Sequence, residues 1–434
     1  MKRVQLAVLL VSIINFSAFS QDRNPLGTVS DDLKSEVQLK LVARNQAFKS
    51  ADLKEHDHYD TAVNSPKSVI FSQDGMKYYV NSLEGYTTVV FATQTHEKLK
   101  EIKHVFKDGD SKLFLNNENT AFDYKQSEKQ EKPNNFYGKP VESCLSHKGK
   151  YLWVTYYRRG WDKNAQYPSA LAIIDTEKDE IVRVMPTGPL PKMIASSPDD
   201  KYIAVTHWGD NTVGIISIEE TDPFKFKYIK YCVVGEKIEL SFSETEVLDR
   251  DNDCGSCLRG TVFTEDSKHL LVGRMGGVGG ICIFNTSDFS TKGYVQGMMG
   301  NVRHLVIVGD ELFLSSNKFG YVQKCNLTKM LASLNGKEKT VRYSDWKSCF
   351  VGYGARTISV TANGKYIFAA VNNAKKIAII RSSDMKLINT IEADPYPVGM
   401  ALSKYETRLM VTAQGKGDQG GNSVTVYSVT YPEK

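Results

Sequence analysis

Pro191-Lys-Met-Ile-Ala-Ser-Ser-Pro-Asp-Asp-Lys-Tyr-Ile-Ala-Val-Thr206 and Ala355-Arg-Thr-Ile-Ser-Val-Thr-Ala-Asn-Gly-Lys-Tyr-Ile-Phe-Ala-Ala370 are two versions of one pattern. Each has a short apolar stretch, a tight polar turn at Asp199-Asp200 or Asn363-Gly364, and a second apolar stretch. A third stretch follows, at Thr212–Ser217 and Lys376–Arg381. The same cadence starts at Pro66, Pro140, Leu258, Val302 and Pro397, so the chain carries seven copies. Short apolar runs bounded by turn residues read as strands. Asp, Asn and Gly in the turns tolerate the left-handed backbone that tight hairpins need. Four short strands per copy, at a period of ~40–50 residues, are the signature of a propeller blade. A pair of β-sandwiches would have no reason to repeat its sequence. The chain therefore reads as all-β: a seven-bladed β-propeller of four-stranded blades over 66–434, with insertions at about 107–139 and 236–256.

The last copy supplies only three strands, Pro397–Ser403, Thr407–Ala413 and Ser423–Thr430, before Lys434. A blade without its outer strand would expose a sheet edge, which folded proteins avoid. Within the N-terminal segment 21–65, Val37, Leu39 and Leu41 alternate with Gln38 and Lys40. That period of two predicts a strand over about 36–43 that joins the last blade and closes the ring.

Lys2 and Arg3 precede an apolar run from Leu6 to Phe16 and small residues at Ala18 and Ser20. This order predicts a signal peptide over 1–20, cut between Ser20 and Gln21, and hence a periplasmic or extracellular protein. The run is shorter than the about 20 residues that a bilayer requires, and no later stretch is longer, so no membrane span is expected in the mature chain. Net charge is +5 without a Lys/Arg run, and no nucleic acid is expected as a partner.

The seven cysteines, Cys144, Cys232, Cys254, Cys257, Cys282, Cys325 and Cys349, are too scattered for a disulfide framework. Cys254-Gly-Ser-Cys257 lacks the following His of a c-type haem site and the helix of a thioredoxin-like motif, which leaves a local disulfide or two buried thiols. His56-Asp-His-Tyr-Asp60 is either a metal-ligating extended segment or a solvated linker, and no partner with zinc-like spacing accompanies it. Neither a metal nor a cofactor is expected. Arg274-Met-Gly-Gly-Val-Gly-Gly280 is rich in glycine but lies between two strands, so it reads as a tight loop and not as a phosphate cradle at a helix N-terminus.

Pro198-Asp199-Asp200-Lys201, Ala204-Val205-Thr206 and Asn211-Thr212-Val213 recur in register with the other copies. In these elements the chain, from Pro66 to Thr430, resembles the YVTN-type (YncE-like) repeat propellers, bacterial and archaeal proteins that are exported or form surface layers. The Asn that usually ends their second strand is replaced here by Tyr156, His207 and Arg274. The resemblance implies the fold. It does not imply one activity, because sites are grafted on folds.

In a propeller, the loops entering the first strand of each blade and those linking the second to the third share one face. The long segments 107–139, 157–169, 236–256 and 414–421 all fall there, and function concentrates on such loops. Alignment of the first strands places Lys67, Val141, Lys192, Arg259, Arg303, Arg356 and Val398 at the mouth of the central channel. Five crowded cations repel one another, whereas a bound anion would accept their hydrogen bonds. The candidate ligand-binding residues are thus Lys67, Lys192, Arg259, Arg303 and Arg356, with His304, Tyr156, His207, Trp208 and Arg274 on the same face. The alternative is that the cations pair with Glu142, Asp210, Asp251 and Asp253 and staple the blades.

The function expected is that of an exported, monomeric binding or scaffold propeller for an anionic small molecule, glycan or acidic protein segment. A lactonase-like hydrolase using His207, His304 or Glu142, a cofactor-holding propeller, and a structural surface-layer component are the rivals. No Ser-His-Asp arrangement, zinc helix or nucleophile elbow is present in the sequence to favour catalysis.

Overall fold

The computed structural model describes residues 23–47, 55–116, 118, 122, 131–240, 248–336, 338–415 and 421–431. The expected signal peptide lies outside the described residues. Seven sheets follow one another along the chain, antiparallel except for a short parallel strand added to the outer edge of two of them. Their first strands are Pro66–Phe71, Phe136–Ser146, Pro191–Ser196, Leu258–Phe263, Val302–Val308, Ala355–Val360 and Pro397–Leu402. Each of these touches the next, and Pro397–Leu402 touches Pro66–Phe71, so the first strands form a closed ring around an axis. This is the seven-bladed β-propeller that the repeats predict.

Alternation along the strands builds the core. Successive side chains of a strand point to opposite faces. In Tyr151–Arg159, Leu152 and Val154 therefore pack toward the first blade, while Trp153 packs toward the third. Seven apolar clusters result, one at each junction between neighbouring blades. Each blade is buried on both faces, which explains why the second and third strands read as nearly continuous apolar runs such as Leu171–Ile174 and Ile377–Ile380.

The closing strand is Gln38–Gln46, antiparallel to Ser423–Thr430 with Gln38 opposite Thr430 and Gln46 opposite Ser423. It runs three residues beyond the predicted stretch because Arg44, Asn45 and Gln46 are polar yet buried. Arg44 explains how. Its Nε and Nη2 donate to the two carboxylate oxygens of Asp394 at 2.7 and 2.8 Å, and its Nη1 donates to Asp57 Oδ1 at 2.8 Å. Asp394 also accepts from Ser423 Oγ at 2.6 Å, and Asp57 accepts from Arg23 at 2.9 Å. One guanidinium thus ties together the N-terminal segment, the closing strand and the last blade.

His56–Asp60 is not simply a solvated linker, although His56 and Tyr59 are exposed. Asp57–Tyr59 adds a short strand parallel to Gln38–Gln46, Asp57 is taken by Arg44, and Asp60 bonds Lys98 at 3.0 Å. No group of three metal-ligating side chains converges among the described residues. An insertion absent from the sequence expectations occupies the fifth blade. There the helix Leu327–Ser333, begun by the Asn326 side chain accepting from Lys329 N at 2.8 Å, separates the third strand from the outer strand Lys347–Phe350. No helix among the described residues is long and apolar enough to cross a membrane.

Candidate anion site at the channel mouth

A repeated backbone irregularity positions the site. In the first blade Pro66 stands opposite Ser82 and Ser68 opposite Asn81, so Lys67 is an extra residue in the ladder. The same step skips Lys192, Arg303 and Val398 in the third, fifth and seventh blades. It falls at Val141-Glu142, Arg259-Gly260 and Arg356-Thr357 in the second, fourth and sixth. A β-bulge lifts a side chain out of the regular alternation and re-aims it. Seven bulges at matching positions therefore bring one residue per blade to the same level of the ring.

Five of those seven residues are cationic, and they lie close enough to act on one another. Lys67 is pushed well below its usual value by burial first and then by Arg356, Arg259, Arg303 and Lys192. Arg303 is depressed by burial, Arg356 and Arg259, and Arg356 falls to about 10 through burial, with Arg259 adding to the effect. Val141 and Val398, both buried, complete the ring without charge.

Two carboxylates face the five cations among the described residues. Glu142 Oε1, from the second blade, accepts from Arg259 Nη2 of the fourth at 2.5 Å across the channel. Asp251, on the loop before the fourth blade, pairs with Lys192. The Lys192 ammonium also lies 4.1 Å from the Trp208 ring centre and 4.9 Å from that of Tyr157, a cation–π enclosure. Burial, partly offset by Asp251, brings Lys192 to about 8. The other three cations have neutral contacts: Lys67 with Gln414 Oε1 at 3.3 Å, Arg303 with Met275 Sδ at 3.5 Å, and Arg356 over the Tyr396 ring at 5.6 Å. Stapling by carboxylates accounts for Lys192 and Arg259 and leaves an excess of positive charge at the mouth.

The other candidates divide. Trp208 belongs to the mouth through Lys192, with its Nε1 donating to Asp251 O at 3.0 Å. His304 follows the bulged Arg303, accepts from Ile358 N at 3.5 Å, and falls to about 3 through burial and the neighbouring Arg259 and Arg303. Tyr156, His207 and Arg274 do not reach the mouth, contrary to expectation. They stand in the regular ladder opposite Pro140, Pro191 and Leu258, and their side chains follow it into the blade junctions. Arg274 lies 4.9 Å from the ring of Tyr294 on an outer strand. Of the three groups expected to supply acid–base chemistry, His207 is sealed in a junction, whereas Glu142 is ion-paired with Arg259 and His304 borders the same cations.

Tyr156 and His207 instead belong to buried polar staples. The Tyr156 hydroxyl bonds His104 Nδ1 at 2.8 Å, His104 Nε2 bonds Thr88 Oγ1 at 2.7 Å, and Thr88 donates to Asn81 Oδ1 at 2.7 Å. Between the second and third blades, His207 Nε2 accepts from Gly188 N at 3.1 Å. Its Nδ1 bonds Thr212 Oγ1 at 2.7 Å, and Thr212 donates to Asp210 at 2.7 Å. Burial lowers both imidazoles to about 3 and His96 to about 4. They stay neutral in the fold where an unfolded chain takes up a proton near pH ~6.5. Their contribution is therefore intact above about pH 6.5 and is lost as pH falls toward 3, with a slope of about 1.4 kcal/mol per pH unit for each. Urea midpoints measured from pH 7 to 4 should drop steeply, and less so in His207→Gln; a flat wild-type profile would contradict these assignments.

Cys254 and Cys257 are joined as a disulfide in the loop that carries Asp251. The glycine-rich turn packs on it. A Cβ at Gly276 would stand 2.4 Å from Gly255 O and 2.6 Å from Cys257 Sγ, so close approach of backbones accounts for that glycine.

These features define an all-β, seven-bladed propeller whose loop-bearing channel mouth carries a cationic cluster. No family model matches the chain, and no curated protein does. Among solved structures it is similar to the β-propeller domain of Cps50 (Swd1) from Myceliophteria thermophila, at a TM-score of 0.56 and 14% identity, over 85% of this chain and 97% of that one. At that identity the likeness concerns the fold alone.

Proposed function

We propose that the protein is an exported binding propeller of the YVTN type that takes an anionic ligand or partner at the mouth of its channel. The observation that carries this reading is the imbalance of five converging cations against two carboxylates: Lys67, Arg303 and Arg356 make their hydrogen-bond and ring contacts with neutral groups, and the Glu142 that also acts on Arg303 and Arg356 is already ion-paired with Arg259. Buried like charges raise the free energy of the empty site, and an anion that accepts their hydrogen bonds lowers it. Export is supported by residues 1–20 and by the Cys254–Cys257 disulfide, a bond that persists in oxidising compartments.

A thermal-shift series with inorganic pyrophosphate at low and high salt tests the proposal. Ligand at a hundred times its dissociation constant stabilises the native state by about 2.7 kcal/mol. The wild type should show a rise in Tm that salt weakens, and the triple variant Arg259→Ala/Arg303→Ala/Arg356→Ala should show none. An equal rise in both proteins would place anion binding elsewhere.

A further inference from the structure

Beside the cationic mouth lies a strip of exposed apolar side chains. Val278, Met299, Phe319, Phe350 and Tyr353 are all solvent-facing, Val278 and Tyr353 by 74% and 63%. They sit on or next to the turns 276–279, 297–301, 317–320 and 351–354, which connect strands on the loop-bearing side of the fourth to sixth blades. The turns are contiguous. A Cβ built on Gly279 would lie 3.9 Å from Gly300 Cα, and one on Gly300 would lie 3.4 Å from the Phe319 ring. Gly354 N donates to Asn317 O at 2.9 Å, and the Phe350 and Tyr353 rings are 5.6 Å apart. The strip borders the mouth through Met275, which contacts Arg303 and whose carbonyl accepts from Asn301 Nδ2 at 3.0 Å.

Aromatic residues, Met and Arg are enriched in protein interfaces, and contiguous exposed apolar patches mark interaction sites. We infer that this face docks an extended acidic segment of a partner protein, whose carboxylates enter the cationic mouth while its apolar side chains lie on the strip from Val278 to Tyr353. The inference rests on the anion-binding reading and adds the class of partner. Charge complementarity selects the occupant: the five cations leave carboxylates as the matching groups, and the aliphatic Val278 and Met299 suit side chains. A single-stranded nucleic acid fits less well. Its backbone is tracked by cations along a groove, whereas these converge on one opening.

Three fluorescent probes at low salt distinguish the outcomes: a short peptide of alternating Asp and Phe, one of alternating Asp and Ser with equal charge, and oligothymidine. The Asp–Phe peptide should bind about ten-fold more tightly than the Asp–Ser peptide. The variant Phe319→Ala/Tyr353→Ala, altered only at exposed positions, should erase that advantage and leave Asp–Ser binding unchanged. Equal affinities, or an advantage that survives the double variant, would overturn the docking strip. Salt-sensitive Asp–Ser or pyrophosphate binding would then show that the anion site stands without it. Tighter binding of oligothymidine, lost in the double variant, would overturn the inference in favour of nucleic acid. A wild type that binds neither peptide nor pyrophosphate would overturn both readings.

Discussion

Arg44→Ala should cost about 3–5 kcal/mol, because removing one member of a buried ion pair leaves the other charge, here Asp394, buried without its cation. Asp394 and Asp57 would both lose a charged partner in a site from which water is excluded. Burial acts to lower the basicity of Arg44, yet Asp394 and then Asp57 outweigh it and raise the guanidinium above its usual value. The damage is also topological. Gln38–Gln46 is the fourth strand of the last blade, and its detachment exposes the edge of Ser423–Thr430. Hydrogen exchange should show the amides of these two strands losing protection ahead of the other blades, and the urea midpoint should fall. Arg44→Met combined with Asp394→Leu should recover part of the loss, since an apolar replacement of a whole buried pair is often neutral. Retention of wild-type stability by Arg44→Ala would mean that the ring closes without this network.

Arg303→Met should raise the stability of the ligand-free protein by on the order of 1–2 kcal/mol while weakening its response to pyrophosphate. Arg303 lies among Arg356, Arg259 and a thioether with Glu142 also acting on it, and removing it relieves repulsion while Glu142 keeps its Arg259 partner. A residue that serves packing alone would lower stability when replaced. Opposite signs for the empty and the anion-bound protein are the mark of a group retained for binding. Arg259→Met is the internal control: it leaves Glu142 without its 2.5 Å partner, so it should not stabilise.

The blades were legible because each copy repeats strand, turn and strand, and a closed ring then forces matching positions to converge. The closing strand was legible from Val37, Leu39 and Leu41, since only a paired strand alternates in that way at the end of a ring short of one strand. The mouth was legible in part. Lys67, Lys192, Arg259, Arg303 and Arg356 were found by aligning copies, but the bulges that re-aim them leave no compositional mark. For the same reason Tyr156, His207 and Arg274 were misplaced. They stand one step away from the bulged residues, where the period of two sends side chains into the junctions. Trp208, one residue after His207, does reach Lys192. Met275 and Tyr396, which contact Arg303 and Arg356, lie on connecting turns whose geometry no periodicity encodes. The helix Leu327–Ser333 was missed because it is too short to establish a helical period against the strands around it.

Anomalous diffraction from crystals grown with tungstate, a heavy tetrahedral anion, would probe the mouth most directly. A peak between Arg259, Arg303 and Arg356, absent in Arg303→Met crystals, is the expected result. Anomalous density found only on outer surfaces, with the ring of bulged residues empty at saturating tungstate, would contradict an anion site on the propeller axis.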